Sequence, residues 1–151
     1  NPMHLNYLAA RVAGCLILGA SLPAHAQEID GTTLFNDNCA VCHAEGGTGN
    51  PGFAPPLNRP AFWQAMDAPT DYVAAVVIAG LHGTMTVDGQ MYAGLRMPPL
   101  PQIEDAELAA IATYVAGELG ETEADATVES VAAVRAELPD NAALMAARPA
   151  E

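Results

Sequence analysis

Lysine is missing from this chain. Its 5 basic residues are all arginines and face 18 acidic ones, giving a formal charge of −13 over 151 residues. Phosphate recognition needs a basic footprint that so few cations cannot assemble, which argues against nucleic acid and anionic membrane surfaces as partners. Aromatic residues are scarce at 5%, although 51% of the chain is hydrophobic. Much of that fraction is alanine, which buries little area per side chain, so a bound cofactor is expected to complete the core. The 3 cysteines are too few for a four-cysteine zinc site. No segment of roughly 20 to 50 residues recurs, and the alternation that marks strands is not seen. One domain with appendages is therefore expected.

The N-terminal stretch reads as a targeting segment with Met3 as its start. Arg11 supplies a positive region, "VAGCLILGASL" an apolar core, and Ala24 and Ala26 the small residues before a cleavage site. Residues 1–26 are expected to be a signal peptide cut between Ala26 and Gln27, and the mature chain to be exported. Cys15 in "VAGC" resembles a lipidation site only superficially, because the apolar run follows it. Cleavage leaves Cys39 and Cys42 as the thiols of an exported protein, in a compartment where idle thiols oxidise.

The mature chain reads as helices and long loops, an all-α arrangement. Asp30 is placed to cap a first helix that buries Leu34 and Phe35 and closes on "CAVCH". Residues 44–60 are rich in glycine and proline and form a long loop. "FWQAM" is a short helical turn, and Thr70 and Gly80 bracket the helix "TDYVAAVVIAG". A second loop is expected over residues 81–102. In the last core helix Leu108, Ile111, Ala112, Val115 and Leu119 share one face. Residues 27–120 thus form one domain, and 121–151 an acidic, alanine-rich extension. There Val128, Val131, Val134 and Leu138 could line a helix that docks a partner, or the segment could be solvated and disordered.

Three occupants compete for Cys39, Cys42 and His43. Structural zinc wants four ligands, a second cysteine pair is missing, and of the other histidines His4 and His25 fall in the segment expected to be cleaved, which leaves His82. A redox dithiol belongs at a helix start within a βαβ unit, whereas this pair ends a helix. Covalent haem uses all three residues: cysteines one helical turn apart add to two vinyl groups of one porphyrin, and the next residue brings an imidazole to iron. Haem is therefore the expected cofactor. The second axial ligand is open among His82, Met85, Met91, Met97 and water. Met97 stands out because Pro98 and Pro99 stiffen the backbone behind it, while Met85 and Met91 read as pocket lining.

The segments "GTTLFNDNCAVCH", "APPLNRPAFW", "GLHGTMTVDGQMYAGLRMPPL" and "AELAAIATYV" resemble a monohaem class I cytochrome c over about residues 28–119. The stretch from Gly80 to "MPPL" is similar to that of small bacterial periplasmic cytochromes, some of them subunits of dehydrogenases. The resemblance implies Cys39 and Cys42 as thioether sites, His43 as proximal and Met97 as distal ligand, and the Pro55 carbonyl as acceptor for the proximal imidazole. It also implies Leu57 in the pocket, Trp63 and Tyr92 near the haem carboxylates, and Gly31 and Phe35 crossing Ile111 and Tyr114. Two departures stand out: the ring of docking lysines is absent, and Glu104 occupies a cap position usually held by serine or threonine, a role left to Asp105.

The expected function is electron transfer by one c-type haem with histidine and methionine ligands, in the periplasm, from a dehydrogenase or other oxidoreductase towards a downstream cytochrome or oxidase. No catalytic residue and no membrane insertion after cleavage are expected. The rival is a haem peroxidase or gas-binding sensor with an open iron site and a polar distal group such as His82. A third reading is a structural haem subunit with no redox task.

Overall fold

The computed structural model describes residues 29–150. The expected signal peptide and its cleavage site lie outside the described residues.

Helix α1 (Gly31–Asn38) starts where the Asp30 carboxylate accepts the N–H groups of Thr32 and Thr33, two donors that a helix start leaves without partners. The helix kinks at Cys39 and resumes as the single turn α2 (Ala40–His43). Ala44, with a φ of 58°, ends it and sends the chain into the loop before α3 (Pro60–Gln64). That loop folds back on itself: the Leu57 N–H donates to the Gly47 carbonyl and the Gly49 N–H to the His43 carbonyl, each at 2.7 Å.

Helix α4 (Pro69–Ala79) begins with a proline in its first turn, and Thr70 is a buried helical residue rather than the cap expected of it. Proline serves there because its missing N–H would have had no partner. Beyond the exposed Asp71 of its first turn the helix is mostly apolar, and accordingly it is packed on two sides. Val73, Ala74, Val77 and Ile78 join the main core, while Ala75 and Val76 face a second cluster.

Residues 81–97 correct the all-α expectation. They form an antiparallel hairpin, β1 (Leu81–Val87) and β2 (Gln90–Met97), with Leu81 opposite Met97 and Val87 opposite Gln90. Leu81, Met85 and Val87 point inward while His82, Thr84 and Thr86 point out, the alternation a half-buried strand needs. Asp88 and Gly89 have φ of 50° and 78°, so both central residues of the turn are left-handed, the geometry that matches strand twist in a two-residue hairpin loop. "DG" between two such runs is a hairpin signal that the abundance of glycine conceals.

Helix α5 (Asp105–Ala112) continues as a wider π-type segment over Thr113–Glu118. Glu104 is its N-cap residue after all, and Glu107 reaches back to the Glu104 N–H at 3.4 Å. Asp105 does not cap; its carboxylate receives Arg135. Helices α1 and α5 cross at Gly31, where a Cβ would collide with the Ala110 carbonyl, so only glycine permits this approach. Beside it the Phe35 and Tyr114 rings lie 5.2 Å apart.

The acidic extension carries α6 (Val128–Ala136) and α7 (Asn141–Ala146). Of the four apolar positions read as its stripe, Val131 is buried at 1% exposure and Val134 half-buried, while Val128 and Leu138 are exposed. Helix α6 lies on α4 and α5, and α7 on α4 and β1, where Leu144 is 2% exposed. Residues 131 and 144 thus complete the two clusters of the domain.

Candidate functional site

A largely apolar cavity of about 520 Å³ opens between α2, the following loop, α3, α4 and the hairpin. Its size falls in the range of about 300–1,000 Å³ that encloses a cofactor-sized ligand. The sequence motif sits on one wall because the kink at Cys39 turns α2 towards it, bringing Cys39, Cys42 and His43 to the lining together.

His43 is 8% exposed. Its Nδ1 lies 2.9 Å from the Pro55 carbonyl oxygen, which can only accept, so Nδ1 carries the proton and Nε2 keeps its lone pair. Burial pulls the imidazole below its ordinary pKa, and the bond to Pro55 partly opposes this. The ring is therefore a neutral, oriented base at neutral pH, as a metal ligand must be. Cys39 and Cys42 are free thiols. Burial, with the neighbouring Cys42 second, pushes the Cys39 thiol up to about 11. A thiol so protonated is a poor thiolate nucleophile, which counts against a redox dithiol.

Met97, the last residue of β2, lines the same cavity, with Pro98 and Leu100 beside it. The Leu100 N–H donates to the Val77 carbonyl at 2.8 Å, tying the segment after Met97 to α4. Met85 lines the cavity as expected, but Met91 is exposed on the outer face of β2. His82 is not in the lining; its side chain is exposed, and both of its backbone groups bond the Asn141 side chain at 2.9 Å.

Pro55, Leu57 and Trp63 line the cavity. The Trp63 indole N–H donates to the Leu57 carbonyl at 2.6 Å and so braces the loop. Tyr92 lies off the cavity. Its inward position on β2 packs it with Met85 and Leu144, because strand alternation aims it at α7.

Sequence reasoning missed the cavity residues Arg59, Arg96 and Arg148, and also Phe62 and the exposed rim residues Val41 and Phe53. Arg59 could have been found beside "APPLN", since Pro60 starts a helix that turns back over the site. Nothing local marks Arg148, which reaches the cavity only through the packing of α6 and α7.

The residues fit a covalently held haem: two unpaired thiols one turn apart, a buried neutral imidazole with one nitrogen already engaged, and an apolar wall carrying a thioether. Among the described residues no three histidine, cysteine or acidic side chains converge as a metal cluster. No helix among them is long and apolar enough to cross a membrane.

Comparison with known proteins agrees with this geometry. Residues 29–117 match the Cytochrome c family. The chain is 35% identical over 107 residues to one cytochrome c-552 of Thermus thermophilus, covering 70% of this chain and 69% of that protein. It is 34% identical over 95 residues to another Thermus thermophilus cytochrome c-552, covering 62% and 71%. The cysteine pair, the held imidazole and the cavity they share are thus those of a member of the cytochrome c family, an electron-transfer protein with one covalently bound haem c.

Proposed function

We propose that this protein is an exported, periplasmic electron carrier whose haem is attached through Cys39 and Cys42 and held between His43 and Met97, accepting electrons from a dehydrogenase or other oxidoreductase. The observation that carries the reading is the His43–Pro55 bond in an apolar cavity that also receives Met97. The bound haem supplies a one-electron Fe(III)/Fe(II) couple.

The residues act by holding. Pro55 fixes the His43 ring and keeps Nε2 directed away from the backbone it bonds. Pro98 and Pro99 limit the freedom of Met97, so the thioether loses little entropy when it binds. Leu57, Trp63 and Val77 exclude water from the cavity, which with methionine ligation raises the potential. No group needs to enter or leave, and the reorganisation that a ligand change would demand is avoided. The open-iron reading takes His82 as its polar distal group, and His82 lies outside the cavity lining.

Electrons leave across the cavity mouth, where Val41 at 84% and Phe53 at 62% exposure offer an apolar contact. The chain as a whole carries a formal charge of −13, so the partner carries a basic patch. Any docking through the extension uses its outer face, with Glu129 and Glu137, because Val131 and Leu144 face their own domain.

The test is Met97→Ala in the holoprotein. The far-red band of a methionine–iron bond in the oxidised protein is expected to vanish, the potential to fall, and carbon monoxide to bind the reduced form rapidly. A parent protein that lacks the band and binds carbon monoxide would overturn the axial assignment. Co-purification of the native complex identifies the electron donor.

A further inference from the structure

Met97 is half-buried and ends β2. Pro98 and Pro99 follow it and have no amide hydrogen to bond, so the next amide tied to the core is that of Leu100, to the Val77 carbonyl at 2.8 Å. Two side chains of the acidic extension add holds on either side of this stretch. Before Met97, Asn141 at the start of α7 accepts from the His82 N–H and donates to the His82 carbonyl, each at 2.9 Å. His82 is paired across the hairpin with Arg96, the residue that precedes Met97. After Met97, the Arg135 guanidinium of α6 donates to the Pro101 and Ile103 carbonyls at 3.1 and 2.9 Å, and to the Asp105 carboxylate at 2.8 Å.

Packing stands behind both holds. Met145 of α7 lies against Gly83, where an added Cβ would come within 3.4 Å of its Cε. Leu144 is buried with Leu81 and Met85, and Met97 packs against that cluster as well as against the main one, which holds Val131. On the domain side the corner between α4 and β1 closes on the same stretch. A Cβ on Gly80 would come within 2.7 Å of the Met97 carbonyl oxygen and 2.9 Å of the Pro99 nitrogen. The stretch therefore lies between this corner and the extension. The family match ends at residue 117, so both holding side chains come from a part of the chain beyond it.

We propose that Asn141 and Arg135 are positioning residues for the axial methionine: the extension clamps the chain on both sides of Met97 and keeps the iron closed to outside ligands. The proposal rests on Met97 as the distal ligand. A small molecule can take that position only while Met97 is away, so its apparent affinity follows the open fraction of the protein. Such an opening is local, and it costs less than unfolding the domain. Each hold supplies two hydrogen bonds to backbone groups of the segments flanking Met97, and their loss raises the open fraction while the core stays folded.

The test titrates imidazole into the oxidised holoprotein and follows the far-red band in the parent, Asn141→Ala and Arg135→Ala. Alanine forms helix better than asparagine, so α7 is kept when Asn141 is replaced. Each variant is expected to bind imidazole about three- to tenfold more tightly than the parent. On heating, the band is expected to fade further below the far-ultraviolet unfolding transition than it does in the parent. Asp30→Ala, whose lost cap bonds to Thr32 and Thr33 touch neither α6 nor α7, controls for general loss of stability and is expected to keep the parent affinity. Unchanged affinity in either extension variant would overturn the proposal. So would an equal rise in Asp30→Ala, which would make the effect one of stability alone. A parent without the band overturns the Met97 reading and the proposal with it, whereas a parent with the band and indifferent variants overturns the proposal alone.

Discussion

His43 and Asp30 show how single hydrogen bonds set the chemistry of this chain. The Pro55 carbonyl selects one tautomer of His43, and burial keeps that ring neutral. At Asp30 the Thr33 hydroxyl first, then the N–H groups of Thr32 and Thr33, hold the carboxyl below its ordinary value near 3.8. A carboxylate with a lowered folded pKa contributes stability that is present above its ordinary value and lost as the pH falls through the folded one. Asp30→Ala is therefore expected to lower the unfolding temperature at neutral pH, with the gap to the parent closing as the pH drops below 3.8, as thermal melts across pH would show. Gly31 is one residue on, and its constraint is steric. Gly31→Ala would drive a Cβ into the Ala110 carbonyl and against Tyr114, at a cost of about 1–3 kcal/mol by urea unfolding. Both residues could be read from sequence, Asp30 as a cap and Gly31 through resemblance, because each acts within or beside one helix start. The place of Arg148 at the cavity could not, since it depends on where two later helices lie.

Among the elements, the hairpin and the extension carry the unexpected parts of the fold. Residues 81–97 hold enough glycine to read as loop, but the "DG" turn and the inward row of Leu81, Met85 and Val87 decide for strands. The consequence for the site is that Met97 ends a paired strand, opposite Leu81, instead of hanging in a free loop. Helix α6 secures the segment that follows. Arg135 makes three hydrogen bonds there, to Asp105, Pro101 and Ile103, at 2.8 to 3.1 Å. Its partly buried pair is worth more than a surface ion pair, because two backbone carbonyls would lose their donor with it. Arg135→Ala is expected to cost about 1–2 kcal/mol. Hydrogen exchange should quicken at Leu100, whose amide donates to the Val77 carbonyl of α4, and at Ile103, whose amide donates to the Leu100 carbonyl. Unaltered exchange there would mean that α4 alone holds the segment.

For the molecule as a whole, the extension and the charge matter most. Ending the chain after Ala126 removes Val131 and Leu144 from the two clusters, each buried side chain worth about 1.5–3 kcal/mol. The truncated holoprotein is expected to lose at least about 3 kcal/mol in denaturant unfolding. A parent-like midpoint would show that α6 and α7 only rest on the surface. The charge of −13 acts over longer distances. Association with a basic redox partner is expected to slow steeply as salt rises, because screening removes the attraction that steers encounter. Stopped-flow rates that rise with salt would contradict this.

The sequence by itself determined the cofactor chemistry. "CAVCH" puts two thiols and an imidazole within one helical turn, and "RMPPL" marks a stiffened methionine, and both patterns are local in the chain. It also determined the helices whose caps and apolar faces lie within a few residues of one another. The tertiary structure decided what depends on distant partners: that Tyr92 turns to α7 and not to the cavity, that the Trp63 N–H braces Leu57, and that the acidic extension closes the core. It also gathered three of a few arginines at one apolar cavity, from positions as far apart as 59 and 148. Local spacing fixes which atoms can bond to one porphyrin, but charges separated by many residues meet only when packing folds the chain back on itself.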